Sequence, residues 1–148
     1  RRIAYDLDFG GIATQEAEGE RIAAALAERY AGDLRDGERF EVTGDLGDEF
    51  AFARVSFRNR EGTDCLEVES RVSLEANDIA MPHDGFDAAI DLIDIFFMEY
   101  FEDDRAVRIH GTWKVYEQDG YEVELRGRRR NLVAEAATEE FLRKNHRG

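Results

Sequence analysis

Cys65 has no second cysteine to pair with, so an intrachain disulfide is excluded and a reducing compartment, the cytoplasm, is the expected setting. A single proline and the lack of any Ser/Gly/Pro-rich stretch argue against a linker or a low-complexity segment. The longest apolar run, residues 86–101, is interrupted by Asp91 and Asp94, which excludes a membrane span and a signal-peptide core from that run. Histidine is scarce: His83, His110 and His146 are scattered, none at ligand spacing from a carboxylate or the cysteine. Cys65 stands beside Asp64 with no adjacent cation to lower its pKa, so a small inert thiol is expected. Neither a cofactor nor a metal is assigned on these grounds. Positive charge is short as well. Lys114 and Lys144 are the only lysines among 20 basic residues, and 34 acids set the net charge at -14. Such a surface repels a phosphate backbone or an anionic membrane at long range and favours a basic partner, so nucleic acid and membrane are not expected as partners. Because numbering begins at Arg1 without Met, some N-terminal sequence is expected to have been removed.

What is present fits one domain over residues 1–148: a 43% hydrophobic chain with ten Phe can bury one full core. Residues 2–9 read as a strand, with Ile3, Tyr5, Leu7 and Phe9 on one face and Gly10-Gly11 ending it. Thr14 is the expected N-cap of a helix carrying Ile22, Leu26 and Tyr30, which Gly32 closes. Gly19 weakens that helix by roughly 1 kcal/mol relative to Ala. Three strands follow at 40–46, 50–58 and 66–74, with Gly44 marking a bulge or a close approach. Phe50 and Phe52 have one parity while Val55 and Phe57 have the other, which predicts a bulge near Ala53 or a strand covered on both faces.

The stretch 86–101 reads as a helix with an unusually wide apolar surface, capped by Asp84 with Asp87 three residues on. Phe86, Ala89, Ile90, Ile93, Phe97, Tyr100 and Phe101 form one stripe, which Leu92, Ile95 and Phe96 extend around both sides. Asp87, Asp91 and Asp94 line the remaining edge as a solvated strip that could also gather a hard cation. Covering Leu92, Ile95 and Phe96 in a homodimer would contribute roughly 1.5 to 3 kcal/mol each before association costs. Alternatively the sheet curls around the helix and the whole arc is internal.

Val107, Ile109, Trp113 and Val115 alternate on a further strand, and Tyr121, Val123 and Leu125 on its return after Asp119-Gly120. Trp113 and Tyr121 read as a cross-strand aromatic pair. Asn131 is the expected cap of a last helix through Leu132, Ala136, Phe141 and Leu142. The predicted order is β-α-β-β-β-α-β-β-α, an α+β fold with a mostly antiparallel sheet against a central apolar helix. Between the hairpin and the last helix, Arg126, Arg128, Arg129 and Arg130 run against the overall charge. They could clamp an anion by forked hydrogen bonds, or neutralise the protein's own acids such as those at 102–104.

Two resemblances follow. Ile3-Ala4-Tyr5-Asp6-Leu7-Asp8 resembles the opening strand of haloacid-dehalogenase phosphotransferases, which implies a nucleophilic Asp6 and a general acid Asp8. The likeness spans fewer than ten residues, departs at Phe9-Gly10-Gly11, and lacks the repeated βαβ pattern of that family. The order helix, three strands, helix, two strands, helix, over about residues 14–146, is similar to that of small acidic chaperones of type III secretion. That resemblance rests on element order and acidity, and the additional N-terminal strand departs from it. It implies a homodimer holding an extended client segment in apolar grooves. Three functions are thereby carried forward: a chaperone-like or adaptor module binding another protein, an acidic inhibitor or immunity-type protein binding a basic one, and a metal-assisted or phosphotransfer enzyme.

Overall fold

A computed structural model describes residues 12–47, 49–106, 111–118 and 121–145. Its elements are α1 (Ile12–Arg29), β1 (Arg39–Leu46), β2 (Phe50–Arg58), β3 (Asp64–Ser73), α2 (Pro82–Glu102), β4 (Gly111–Gln118), β5 (Tyr121–Asn131) and α3 (Leu132–Asn145). The strands form one antiparallel sheet in the order β1-β2-β3-β5-β4, so the fold is α+β as the sequence pattern predicts. The strand expected at residues 2–9, with Asp6 and Asp8, lies outside the described residues, as do Val107, Ile109, His110, Asp119-Gly120 and His146.

Pleat and register decide which side chains meet α2. Ala51, Ala53, Val55 and Phe57 on β2 and Leu66, Val68 and Val72 on β3 face the helix side and are buried. Phe86, Ile90, Ile93 and Phe97 of α2 close over them. Each such side chain contributes roughly 1.5 to 3 kcal/mol on leaving water. At the C-terminal end of α2 the core is aromatic: Phe40 meets Phe97 edge-on at 5.2 Å, and Phe57 meets Phe101 edge-on at 5.5 Å. The β2 register runs unbroken through Ala53, so no bulge forms there. Phe50 and Phe52 instead occupy the outer face, where Arg71 and Arg54 lie over their rings at 4.7 and 5.4 Å.

Two glycines permit close approach. A Cβ on Gly44 would lie 2.1 Å from the Phe86 ring, so β1 admits α2 only without a side chain there. A Cβ on Gly19 would lie 2.5 Å from the Val42 carbonyl oxygen, so the helix-weakening glycine lets α1 settle on β1. Helix starts differ from expectation. α1 is already helical at Ile12, ahead of Thr14, and α2 begins at Pro82 with Met81 as an N-cap that lends no side-chain bond. Proline at the first helical turn presets φ, which moves the start ahead of Asp84. Asn131 caps α3 as expected, its Oδ1 accepting from the Ala134 N–H at 2.8 Å.

Candidate functional site

The acidic edge of α2 is not a solvated strip. Asp91 and Asp94 are 3% and 1% exposed, and the end of α1 reaches Asp94. The Tyr30 hydroxyl, from the end of α1, donates to Asp94 Oδ1 at 2.7 Å, and Arg29 Nε approaches the same oxygen at 3.2 Å. Burial pushes the Asp94 carboxyl above the ordinary range, opposed by the Tyr30 hydrogen bond and by Arg29. Burial first, and then the hydrogen bond to Asp94, raise the Tyr30 phenol well above its usual value, against Arg29. Periodicity identified the edge correctly but carried no sign of the tyrosine and arginine, 64 and 65 residues earlier in the chain, that hold Asp94. Among the described residues no group of three His, Cys, Asp or Glu side chains is placed to hold a metal ion.

Of the three residues proposed for self-association, Leu92 and Phe96 are 5% and 6% exposed and Ile95 is half-buried within the single chain. Both flanks of α2 are thus largely covered without a second copy. Cys65 is buried and donates toward no activating base; burial raises its pKa, with Ser56 acting in the opposite direction.

The arginine run is divided by the pleat of β5. Arg126, Arg128 and Arg130 share the outer face, while Arg129 shares the inner face with Leu125 and Gly127. On the outer face the register sets Glu69 between Arg54 and Arg126, and Glu67 between Ser56 and Arg128. Arg128 donates to Glu67 Oε1 through Nη2 at 2.7 Å and Nε at 3.0 Å, and Arg54 Nη2 lies 2.7 Å from Glu69. Arg130 and Arg54 approach Glu67 at 3.8 and 3.9 Å. Glu124 draws in Arg71 at 3.3 Å and Arg126 at 3.6 Å. The carboxylates described against the run are therefore Glu67 across the sheet on β3 and Glu124 two residues earlier on β5, not the acids at 102–104. Strand register, which local sequence does not reveal, selects them.

Among the described residues, three of the five exposed large hydrophobic side chains lie on α3. Ala134, Ala137, Thr138, Phe141 and Leu142 recur at i, i+3, i+4, i+7 and i+8, the spacing of a face that packs, yet all five are exposed. Phe141 and Leu142 are 64% and 60% exposed, and Val133 on an adjoining flank 58%. The helix joins the sheet through its first residue, Leu132, whose N–H donates to the Thr63 carbonyl. The Asn131 cap, basic Arg143 and Lys144 in the last turn, and a Glu140–Lys144 pair at 3.1 Å support it locally. At 14 residues it is below the ~15 at which helices hold alone in water, and among the described residues Ala134, Thr138 and Leu142 stay exposed. Periodicity predicts a helix here through Leu132, Ala136, Phe141 and Leu142 but does not show that Ala134, Ala137, Thr138 and Leu142 stay exposed among the described residues.

Comparison with protein-family models, with curated proteins and with solved structures finds no match to this chain.

Proposed function

We propose that the chain is a non-enzymatic protein-binding module, chaperone-like or adaptor, that holds an extended apolar segment of another polypeptide on α3. The exposed i, i+3, i+4, i+7, i+8 face of α3 carries this reading. A short helix whose packing face is largely exposed against the rest of the described chain gains stability when a partner covers it. Support also comes from the described order α1-β1-β2-β3-α2-β4-β5-α3, the order on which the likeness to small acidic secretion chaperones rests. The net charge of -14 favours a client with basic residues flanking its apolar segment. A reducing cytoplasm suits the unpaired Cys65. In this reading a homodimer, if formed, uses α3, because Leu92 and Phe96 are already covered.

The test is binding of a permanently unfolded chain, reduced and carboxymethylated lactalbumin, followed by fluorescence anisotropy. Leu142→Asp is expected to leave stability within ~0.5 kcal/mol of the parent, since the side chain is exposed. It is expected to weaken binding about tenfold or more. Binding unchanged by Leu142→Asp would remove α3 from the account.

The acidic charge supports a second reading, an inhibitor or immunity-type protein engaging a basic partner. Its affinity should fall steeply with salt, whereas an apolar contact should not.

A further inference from the structure

Arg129 is the member of the arginine run that the outer-face charge ladder does not use. It occupies an inner-face position, and the register sets it in a row across the sheet: Phe40 opposite Phe57, Phe57 opposite Leu66, Leu66 opposite Arg129. Three of these four side chains are buried and apolar. An arginine at the fourth position departs from the alternation that built the core, and its surroundings are unlike those of its neighbours. Arg129 Nη2 donates to the Tyr100 hydroxyl at 2.8 Å and the guanidinium lies 5.9 Å from that ring's centre. Among the described residues no carboxylate comes within ion-pair distance of it. A phenol oxygen satisfies one of the five donors a guanidinium offers.

Arg129 and Tyr100 border a recess of about 210 Å³ at the end of the sheet, floored by Phe57 and Leu66 and rimmed by Arg35, Asn59 and Asp64. This is far above the ~15 Å³ that one water requires. A second arginine, Arg105, is already spoken for. It donates to both oxygens of Glu38, at 2.6 and 2.8 Å, and to the Asp33 carbonyl at 2.8 Å. Arg35, exposed on the segment after α1, contributes a third guanidinium that makes no ion pair among the described residues, although Glu38 accepts its backbone N–H and feels its charge. Three guanidiniums against the carboxylates of Glu38 and Asp64 leave one positive charge in a chain whose net charge is -14.

We infer that this recess is a binding site for a carboxylate, held by the Arg129 guanidinium with Arg35 at the rim and the carboxylate's apolar substituent toward Phe57 and Leu66. The forked N–H groups of arginine match the two oxygens of a carboxylate, and the single excess charge suits a monoanion better than a phosphate dianion. The site is independent of α3. Its ligand is either a small organic acid or the C-terminal carboxylate of a polypeptide.

Amide chemical shifts of the full chain, titrated with propionate, N-acetyl-leucine, N-acetyl-leucinamide and inorganic phosphate, test this. Both acids should shift the amides of Leu66, Tyr100 and Arg129 saturably, and the uncharged amide should not. Arg129→Gln should weaken the acids about tenfold or more, while Arg126→Gln on the opposite face should leave them unchanged. Should Arg129→Gln fail to fold, Arg35→Gln on the exposed rim should weaken the same shifts. N-acetyl-leucine binding about tenfold tighter than propionate would identify the ligand as a polypeptide end; equal affinity would identify a small acid. Absence of saturable shifts, equal binding of the amide, tighter binding of phosphate, or acids unaffected by either substitution would overturn the site.

Discussion

Asp94 is the residue at which charge and burial conflict most sharply. Its carboxyl is held by Tyr30 and Arg29 in a nearly dry position, and burial raises its pKa in spite of both. A carboxyl whose folded pKa exceeds its unfolded value binds its proton more tightly in the fold. Its contribution is therefore greatest below the ordinary value of ~3.9 and falls as pH rises toward the raised one. Glu38 works the other way. Arg105 holds its carboxyl below the usual range, so its stabilisation is present above the unfolded pKa and is lost as pH falls through the folded value. Denaturant midpoints of Asp94→Asn should accordingly vary less with pH, above ~4, than those of the parent. An unchanged slope would show that Asp94 does not titrate differently in the fold. The sequence made Asp87, Asp91 and Asp94 visible as one edge, but Tyr30 and Arg29, which hold Asp94, lie far away in the chain. Helical spacing alone could not distinguish a solvated strip from a covered one.

Among the elements, the sheet's outer face and α3 show two ways of leaving an amphipathic surface. The outer face of β2, β3 and β5 satisfies itself: Glu67 stands among Arg54, Arg128 and Arg130, and Arg71 and Arg54 cover the two phenylalanines that have the outward parity. Glu67 is buried at the centre of this ladder whereas Arg126 is exposed at its side. Glu67→Gln should therefore cost about 1 to 3 kcal/mol by leaving guanidiniums without their shared carboxylate. Arg126→Gln should stay within ~0.5 kcal/mol, as exposed ion pairs do. Equal costs for the two, measured by urea unfolding, would contradict the ladder. Local pattern revealed this much: the parity conflict between Phe50–Phe52 and Val55–Phe57 showed that β2 carries large side chains on both faces, and the structure shows how the outer pair is covered. It did not reveal which acids meet the arginine run, because cross-strand partners are set by register. Extending the alternation Tyr121, Val123, Leu125 by two steps does place Gly127 and Arg129 on one face, so the exceptional arginine was legible in the sequence.

At the scale of the molecule, α2 is enclosed by its own chain. Its wide apolar arc reported a central position in the fold rather than a free surface, since Leu92 and Phe96 are covered, while Val133 and Leu142 of α3 stay exposed among the described residues. The order of the described elements and the identities of most of their core residues followed from periodicity, because burial against a sheet imposes it. Which helix remained uncovered depended on packing that periodicity does not encode. Binding of the unfolded lactalbumin chain at low and high salt, to the parent and to Leu142→Asp, tests the central claim most directly. The account predicts binding that survives high salt and weakens about tenfold or more in Leu142→Asp. Absence of binding, or binding abolished by salt and indifferent to Leu142→Asp, would contradict it.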